Sequence, residues 1–543
     1  MIKASPKTLK GGRSAMTETA PVLVSGRWRP AKQPAGTFRA FDPSLGEPLD
    51  AEYPVSDWAD IEEALGAAAE AAWTLLALGY EPIAAFFDRF ASLLEASRDK
   101  IVETTRLETG LPAEPRLRSI EFPRQVDQLR QTAQACRERS WRMPTIDTKR
   151  NIRSIYGPLG GPVAVFSPNN FPLAFNSVGG GDFAAALAAG NPVIAKANPS
   201  HPATTRILAD IAFKAAGETG LPQATIQLIY HFSERNGFRL VSHPLLAASA
   251  FTGSRRAGLA LKEAADRAGK LIYLEMSSTN PVFILPGALE ERGPEIASEL
   301  FNSCTLGEGQ FCTRPVLTFV PAGPATDVFV DTATKLFESN EPGFLLGPRI
   351  LEGMENAVRK IEGNGGRRAA GGYPVKGPGF RYASTLFIVS GDVFLADPRA
   401  FEIETFGPLG IIVTVKDASL LRASAEKLSG QLTVSVYSST NGSDEPAYRE
   451  LEPLLRVKAG RLLNDRMPTG VAVSPAMGHG GPFPATGHPG FTSVGLPASI
   501  RRFAGLHCYD NVRQDRLPAE LRDKNPGGKI WRFIDGGWMR TDV

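Results

Sequence analysis

The sequence predicts an α/β protein made of two doubly wound α/β units and an extended arm. Two regions each alternate short apolar runs with helical stretches, which is the pattern of βαβ units and parallel sheets. At 543 residues the chain is also too long for one hydrophobic core, so two or three domains are expected. The segments around 140–160 and beyond Gly470 lack this alternation and are rich in Pro and Gly, as extended structure would be.

Residues 1–20 are expected to be a disordered leader: Met1 to Ala15 are basic and carry no apolar signal core,. Met16 reads as naturally as a start as Met1 does. Residues 57–76, 83–107 and 119–137 place Ala, Leu and Phe at helical spacing,. Apolar runs follow at Pro162–Phe166, Pro192–Ala195, Thr225–Ile229, Ala248–Phe251 and Leu271–Leu274, with helices at Ala203–Ala216 and Arg256–Ala268 between them. A second series of strands is read at Pro281–Leu285, Val316–Val320, Leu386–Val389, Gly410–Val415 and Thr433–Val436. The first unit is therefore assigned 21–139 and 161–274, and the second 275–470. The arm and C-terminal extension take 140–160 and 471–543, with Gly478–Gly490 as a loop.

Composition excludes some classes. Sixty basic and 57 acidic residues give a net charge of +3, which offers no basis for a nucleic-acid or polybasic membrane surface. No apolar run approaches the roughly 20 residues that span a bilayer. Four scattered cysteines form no CxxC pair, as expected in a reducing cytoplasm.

Cys312 stands out because it follows the Gly-spaced turn Gly307–Gly309 in Gly309-Gln310-Phe311-Cys312. A thiol in a turn with a carboxylate at hand is the material of covalent catalysis, and Glu275 in Leu274-Glu275-Met276 is that carboxylate. Cys136, Cys304 and Cys508 read as small buried hydrophobes. Neither GxGxxG nor a Walker A motif occurs. Gly253-Ser254-Arg255-Arg256-Ala257-Gly258 instead follows a strand and opens a helix whose amides would receive a pyrophosphate,. The six histidines show no metal-ligand spacing, so no metal site is expected,; His479 reads as a loop or substrate-mouth residue.

Phe251-Thr252-Gly253-Ser254, the Glu275 segment, the Cys312 segment and Glu404-Thr405-Phe406-Gly407-Pro408 occur in order with Asn170-Phe171-Pro172 and Val193-Ile194-Ala195-Lys196. Together they resemble the aldehyde dehydrogenase superfamily from about residue 21 onward. Asn280-Pro281-Val282-Phe283, Pro468-Thr469-Gly470-Val471 and His479-Gly480-Gly481-Pro482 most resemble its α-ketoglutaric semialdehyde (2,5-dioxopentanoate) dehydrogenases. The resemblance implies a cofactor-binding first unit, a catalytic second unit and an oligomerisation arm. It implies Cys312 as nucleophile, Asn170 as oxyanion donor and Glu275 as the base for thioester hydrolysis, its pKa raised by partial burial. Glu404 would hold the nicotinamide ribose beside Phe406, Lys196 the adenosine ribose, and Gly253 with Ser254 the pyrophosphate.

No acid follows Lys196 before Asp210, and Arg235 would pair with a 2′-phosphate, so NADP is favoured, with NAD as the alternative. Arg124, Arg314 and Arg466 are candidates for a distal substrate carboxylate. Ser277, where relatives usually carry Gly, and Asn464-Asp465-Arg466-Met467 depart from the pattern and bear on the substrate, for which another aliphatic or semialdehyde is the alternative. The resemblance further implies a small-molecule aldehyde as partner and a homodimer or homotetramer. Two other classes stay open: an inactive or binding scaffold, and a cysteine hydrolase. The hydrolase needs a His base, and no histidine is tied to Cys312 by spacing.

Overall fold

A computed structural model describes residues 19–543 of the chain. The expected leader lies outside the described residues except at its end, where Ala20 is buried and its amide donates to the Glu52 carbonyl. Ordered packing therefore begins before residue 21.

The first sheet has five parallel strands, Leu271–Glu275, Ala248–Thr252, Val163–Phe166, Val193–Lys196 and Ile226–Ile229, in that spatial order. Val163–Phe166 is buried at every position, as a central parallel strand covered on both faces must be. The chain starts at this strand, builds outward on one side and then on the other, so the order reverses between Val163–Phe166 and Ala248–Thr252. A ligand crevice opens at the carboxyl ends of strands at such a reversal.

The second sheet runs Arg367–Ala370, Thr385–Ser390, Leu409–Val415, Leu317–Pro321, Val282–Ile284, Gln431–Tyr437 and Ala459–Asn464, parallel throughout except for its Arg367–Ala370 edge. Phe283 and Phe319 stack at 4.8 Å in its core. A third, five-stranded sheet joins Thr145–Asp147 and Ile152–Pro158 to Ala504–Asp510 and a hairpin of Arg532–Ile534 with Gly537–Met539.

Two doubly wound units and an extended arm are thus present, with local differences from the sequence reading. The helix expected over 83–107 is two helices, Tyr80–Ala96 and Arg98–Thr109. Ser97 breaks it at φ −109°, ψ 10°, and the apolar periodicity running across the break hid it. Four strands at the margins of the two large sheets escaped notice, of which Val22–Val24 lies between Ile226–Ile229 and the Arg27–Arg29 edge. Val22–Val24 and Arg27–Arg29 are three-residue strands joined by Ser25-Gly26, both at positive φ, and Ser is a weak signal for a turn that favours Asn-Gly. Arg367–Ala370 lacks β-branched residues and is bulged. Ala459–Asn464 follows its helix with no intervening turn.

Cys136 and Cys304 are fully buried as expected, but Cys508 is exposed. It lies on Ala504–Asp510, whose only neighbour in the sheet is Ile152–Pro158. Among the described residues no helix is long and apolar enough to cross a membrane.

Candidate active site

The two large sheets meet in a polarised way. The first sheet contributes residues from the carboxyl ends of its strands: Asn170 after Val163–Phe166, Gly253 and Ser254 after Ala248–Thr252, and Glu275 as the last residue of its strand. The second sheet contributes residues from just before its strands: Cys312 before Leu317–Pro321, and Glu404 and Phe406 before Leu409–Val415. All seven line one cleft of about 420 Å³.

The Cys312 turn is fixed by its surroundings. Gly309 has φ +65°, and a Cβ there would stand 2.3 Å from the Gly407 carbonyl oxygen. Only glycine lets the thiol loop approach the Glu404–Gly407 loop this closely. Asn280, itself at φ +47°, donates from Nδ2 to the Cys312 carbonyl at 2.8 Å and the Arg314 carbonyl at 2.9 Å. The Asn170 loop is braced by a buried ion pair between Arg116 and Glu121. Glu121 accepts the Leu173 and Ala174 amides at 2.8 and 3.0 Å, and Arg116 donates to the Asn170 carbonyl at 2.8 Å. The Asn170 side-chain amide, 5% exposed, points at the thiol loop and donates to the Gln310 carbonyl at 2.9 Å.

His479, read from the sequence as a loop or substrate-mouth residue, instead stands at the centre of the site. Its Nε2 lies 3.4 Å from Cys312 Sγ and 2.8 Å from Glu275 Oε1, and the residue is 2% exposed. It is therefore buried between the thiol and the carboxylate. A histidine is thus joined to Cys312 in space, although no spacing in the sequence ties the two. The only available signal was its place in a Gly-rich loop 167 residues beyond the cysteine, a separation at which local spacing carries no information.

The expectation for Glu275 also changes. Burial does push its pKa up, but the adjacent His479 and the Ser493 hydroxyl, at 2.6 Å from Oε2, outweigh burial and leave it below the usual carboxylate value. Burial, reinforced by the negative charges of Glu275 and Glu404, raises the Cys312 pKa well above that of an ordinary thiol. Burial and its acidic neighbours thus disfavour the thiolate of Cys312, and His479 lies between that thiol and the carboxylate. Such an arrangement can pass the thiol proton to His479, whose cationic form Glu275 would stabilise.

Glu404 is pushed up to about 7 by burial, opposed by the Ser277 hydroxyl and Ser278 amide. Ser277 therefore supplies a hydroxyl to a cleft carboxylate, which Gly at this position would not. Ser254 caps the helix Arg255–Arg267, its Oγ accepting from the Ala257 amide, so this helix starts at the cleft that Gly253 and Ser254 line.

Lys196 ends its strand outside the cleft lining. Burial alone lowers its pKa to about 8, and its charge acts on His201 and His231. Arg349, unnoticed in the sequence, lines the cleft and also acts on His231. Arg235 is exposed at the start of helix Glu234–Val241, where its charge acts on Asp57; it does not line the cleft.

The three candidate arginines differ sharply. Arg314 is 2% exposed and spends its guanidinium on the carbonyls of Thr405, Leu409 and Pro315, so it is a structural tie between loops and cannot meet a substrate. Arg466 is exposed on the segment after Ala459–Asn464. Arg124 lies over the rings of Phe175 and Phe171 at 5.2 and 5.8 Å and donates from Nη1 to the Val471 carbonyl. Its Nε and Nη2 are buried without a partner, and its charge reaches Cys312. Arg461, a cation the sequence reading omitted, also acts electrostatically with Cys312 but holds the Pro468 and Gly470 carbonyls.

Residues 28–478 match the profile described as the aldehyde dehydrogenase family. The chain is 40% identical over 516 residues to "Alpha-ketoglutaric semialdehyde dehydrogenase 2" of Azospirillum brasilense, covering 92% of this chain and 96% of that protein. It is 38% identical over 461 residues to "Alpha-ketoglutaric semialdehyde dehydrogenase" of Acinetobacter baylyi, covering 83% and 86%. Among solved structures, lactaldehyde dehydrogenase from Escherichia coli superposes with a TM-score of 0.78 at 22% identity, over 90% of this chain and 98% of that one. That last likeness is one of fold.

Proposed function

The chain belongs to the aldehyde dehydrogenase family, and on that premise we propose that it oxidises 2,5-dioxopentanoate to 2-oxoglutarate with NADP. The observation that carries the chemistry is the line Cys312–His479–Glu275 at 3.4 and 2.8 Å beside the Asn170 amide. Cys312 attacks the aldehyde as its proton passes to His479. Asn170, swung from the Gln310 carbonyl, then donates to the developing oxyanion of the thiohemiacetal; such a donor contributes about 10²–10³ in rate. A nicotinamide nucleotide, when bound, supplies the hydride acceptor that turns this adduct into a thioester. Glu275 takes the proton of the hydrolytic water, the hydroxide adds to the thioester carbonyl, and the C–S bond breaks to release the acid while the sulfur recovers its proton from His479.

The residues present fit that nucleotide. The helix start at Ser254 is suited to a pyrophosphate,, Glu404 offers acceptors for ribose hydroxyls, and Lys196 is a half-buried cation whose ammonium form burial disfavours. No acid lies among Ala197–His201, and Lys196 with Arg349 places two positive charges around His231, which supports NADP over NAD. These two take over the 2′-phosphate role first given to Arg235.

This predicts a pH dependence. Burial disfavours the ammonium form, so Lys196 is charged below about 8 and neutral above it,. Nucleotide affinity is expected to fall as pH rises through 8, with proton uptake on binding above that value. Isothermal titration in buffers of different ionisation enthalpy measures that uptake, and Lys196→Met should abolish it.

For the substrate, the buried and unpartnered Nε and Nη2 of Arg124 are suited to a carboxylate,. Following nucleotide reduction with 2,5-dioxopentanoate and with an uncharged aldehyde of similar length tests the reading. Arg124→Leu is expected to raise KM for the carboxylated substrate roughly 10- to 100-fold, as for loss of a charge-assisted hydrogen bond, and to spare the uncharged one. Equal losses on both would discard the carboxylate role. Turnover of simple aldehydes alone would discard 2,5-dioxopentanoate.

Two further readings accompany this one. Four unpaired cysteines support a reducing, cytoplasmic compartment. The arm exposes Leu506, Trp531 and Trp538 by 61%, 47% and 50%, which supports burial of this sheet in a homo-oligomer.

A further inference from the structure

The same three side chains invite a second kind of ligand. Cys312 Sγ, His479 Nε2 and a Glu275 carboxylate oxygen all lie within 4.8 Å of one another. We propose that they form a reversible zinc site that switches the enzyme off. This goes beyond aldehyde oxidation and stands on ligand geometry alone.

Thiolate, imidazole and carboxylate are the donors zinc takes, and three protein ligands with one open position form a recurrent zinc arrangement. Tetrahedral zinc, with Zn–S of about 2.3 Å and Zn–N and Zn–O of about 2.0–2.1 Å, sets S···N at about 3.6 Å and N···O at about 3.4 Å. The observed S···N separation is 3.4 Å. The N···O separation is 2.8 Å and must open by about 0.6 Å for the same geometry. A small rotation of the Glu275 carboxylate about its Ser493 hydrogen bond provides that movement.

The charges also close. Thiolate and carboxylate neutralise the dication, His479 joins as the neutral imidazole, and the thiol proton leaves to solvent. A buried site that ends electrically neutral avoids the cost of an unpaired buried charge. Two of the three ligands, Cys312 and Glu275, line the cleft, so the ion would reach the site from that side, with His479 completing it from beneath Glu275.

Ligand spacing in the sequence gave no hint of this set, because its members are 37, 167 and 204 positions apart (312 − 275, 479 − 312 and 479 − 275). Ligation would occupy the nucleophile, its proton acceptor and the hydrolytic base together, so bound zinc and turnover exclude each other.

Equilibrium dialysis of the metal-free full-length protein against zinc chloride, in a non-chelating buffer, tests the proposal without recourse to turnover. The expected result is one zinc per chain in the wild type and in Cys508→Ser, none in Cys312→Ser, and affinity weaker by roughly tenfold or more in His479→Gln. Cobalt(II) in place of zinc should give a sulfur-to-metal charge-transfer band that Cys312→Ser lacks. Circular dichroism of each variant identifies any that fails to fold, and zinc protection of wild-type Cys312 from iodoacetamide supplies a readout that needs no variant. Reversal of zinc inhibition by EDTA would complete the picture. Zinc bound equally by wild type and Cys312→Ser, no binding at all, or alkylation of Cys312 unaffected by zinc would each overturn it. An enzyme that turns over aldehydes yet binds no zinc refutes this proposal alone, and one that binds zinc but oxidises no aldehyde refutes only the catalytic reading.

Discussion

Replacing Cys312 by alanine is expected to lower kcat/KM for aldehyde oxidation by about 10⁴-fold or more while leaving nucleotide binding in place. The effect is large because no neighbouring side chain can substitute as nucleophile. Cys304 is fully buried and its Sγ faces the Pro315 carbonyl, and the other two cysteines lie outside the cleft. Burial, with Glu275 and Glu404, disfavours the thiolate, so the proposed attack relies on proton transfer to His479 rather than on a standing thiolate. Nucleotide binding should survive because Gly253, Ser254, Lys196 and Glu404 are anchored by their own strands and helix, independently of the thiol. Steady-state rates with nucleotide titrations separate the two quantities. Turnover within tenfold of wild type would end the covalent mechanism.

What the sequence made legible follows from where chemistry sits in this fold. Asn170, Gly253, Ser254, Glu275, Cys312 and Glu404 each occupy a short motif next to a strand end, so contiguous residues identify them. The strands of both sheet centres were equally readable, since continuous burial demands continuous apolar runs. Edge strands such as Arg367–Ala370 bury less and carry no such run. His479 depends on tertiary closure: the loop around it packs across the end of Leu271–Glu275, with the Met276 amide donating to Ala485 and a bridge between Glu275 and Thr486. The arginines were unreadable for a related reason. Arg124 and Arg314 are the same residue type, and only the acceptors around them show that both terminal nitrogens of Arg314 are taken by carbonyls while Arg124 keeps its Nε and Nη2 buried and unpartnered. Glu275 shows the same dependence electrically, since burial alone would have raised its pKa and two hydrogen-bond partners reverse that.

Glu275→Gln is expected to separate the two half-reactions. Glutamine keeps the size of the side chain and can still meet His479 and Ser493, but its amide accepts no proton from water. Acylation of Cys312 should then proceed, and stopped-flow mixing should show a burst of about one reduced nicotinamide per chain. Deacylation should fall by roughly 10²–10⁴-fold, the usual contribution of a general base, leaving a slow steady state and a trapped acyl-enzyme visible by mass spectrometry. The structure permits a rival outcome, because Glu275 also holds His479 at 2.8 Å. If the carboxylate acts chiefly by stabilising the imidazolium that receives the thiol proton, the burst itself slows and no acyl-enzyme accumulates. His479→Gln discriminates further: it removes the proton acceptor but leaves the carboxylate, so it should slow the burst while sparing the hydrolysis of any thioester formed. A fast burst in Glu275→Gln with a slow burst in His479→Gln assigns deacylation to the carboxylate and thiol activation to the imidazole. Slow bursts in both would make the carboxylate a positioning partner of the histidine, with hydrolysis left to another base.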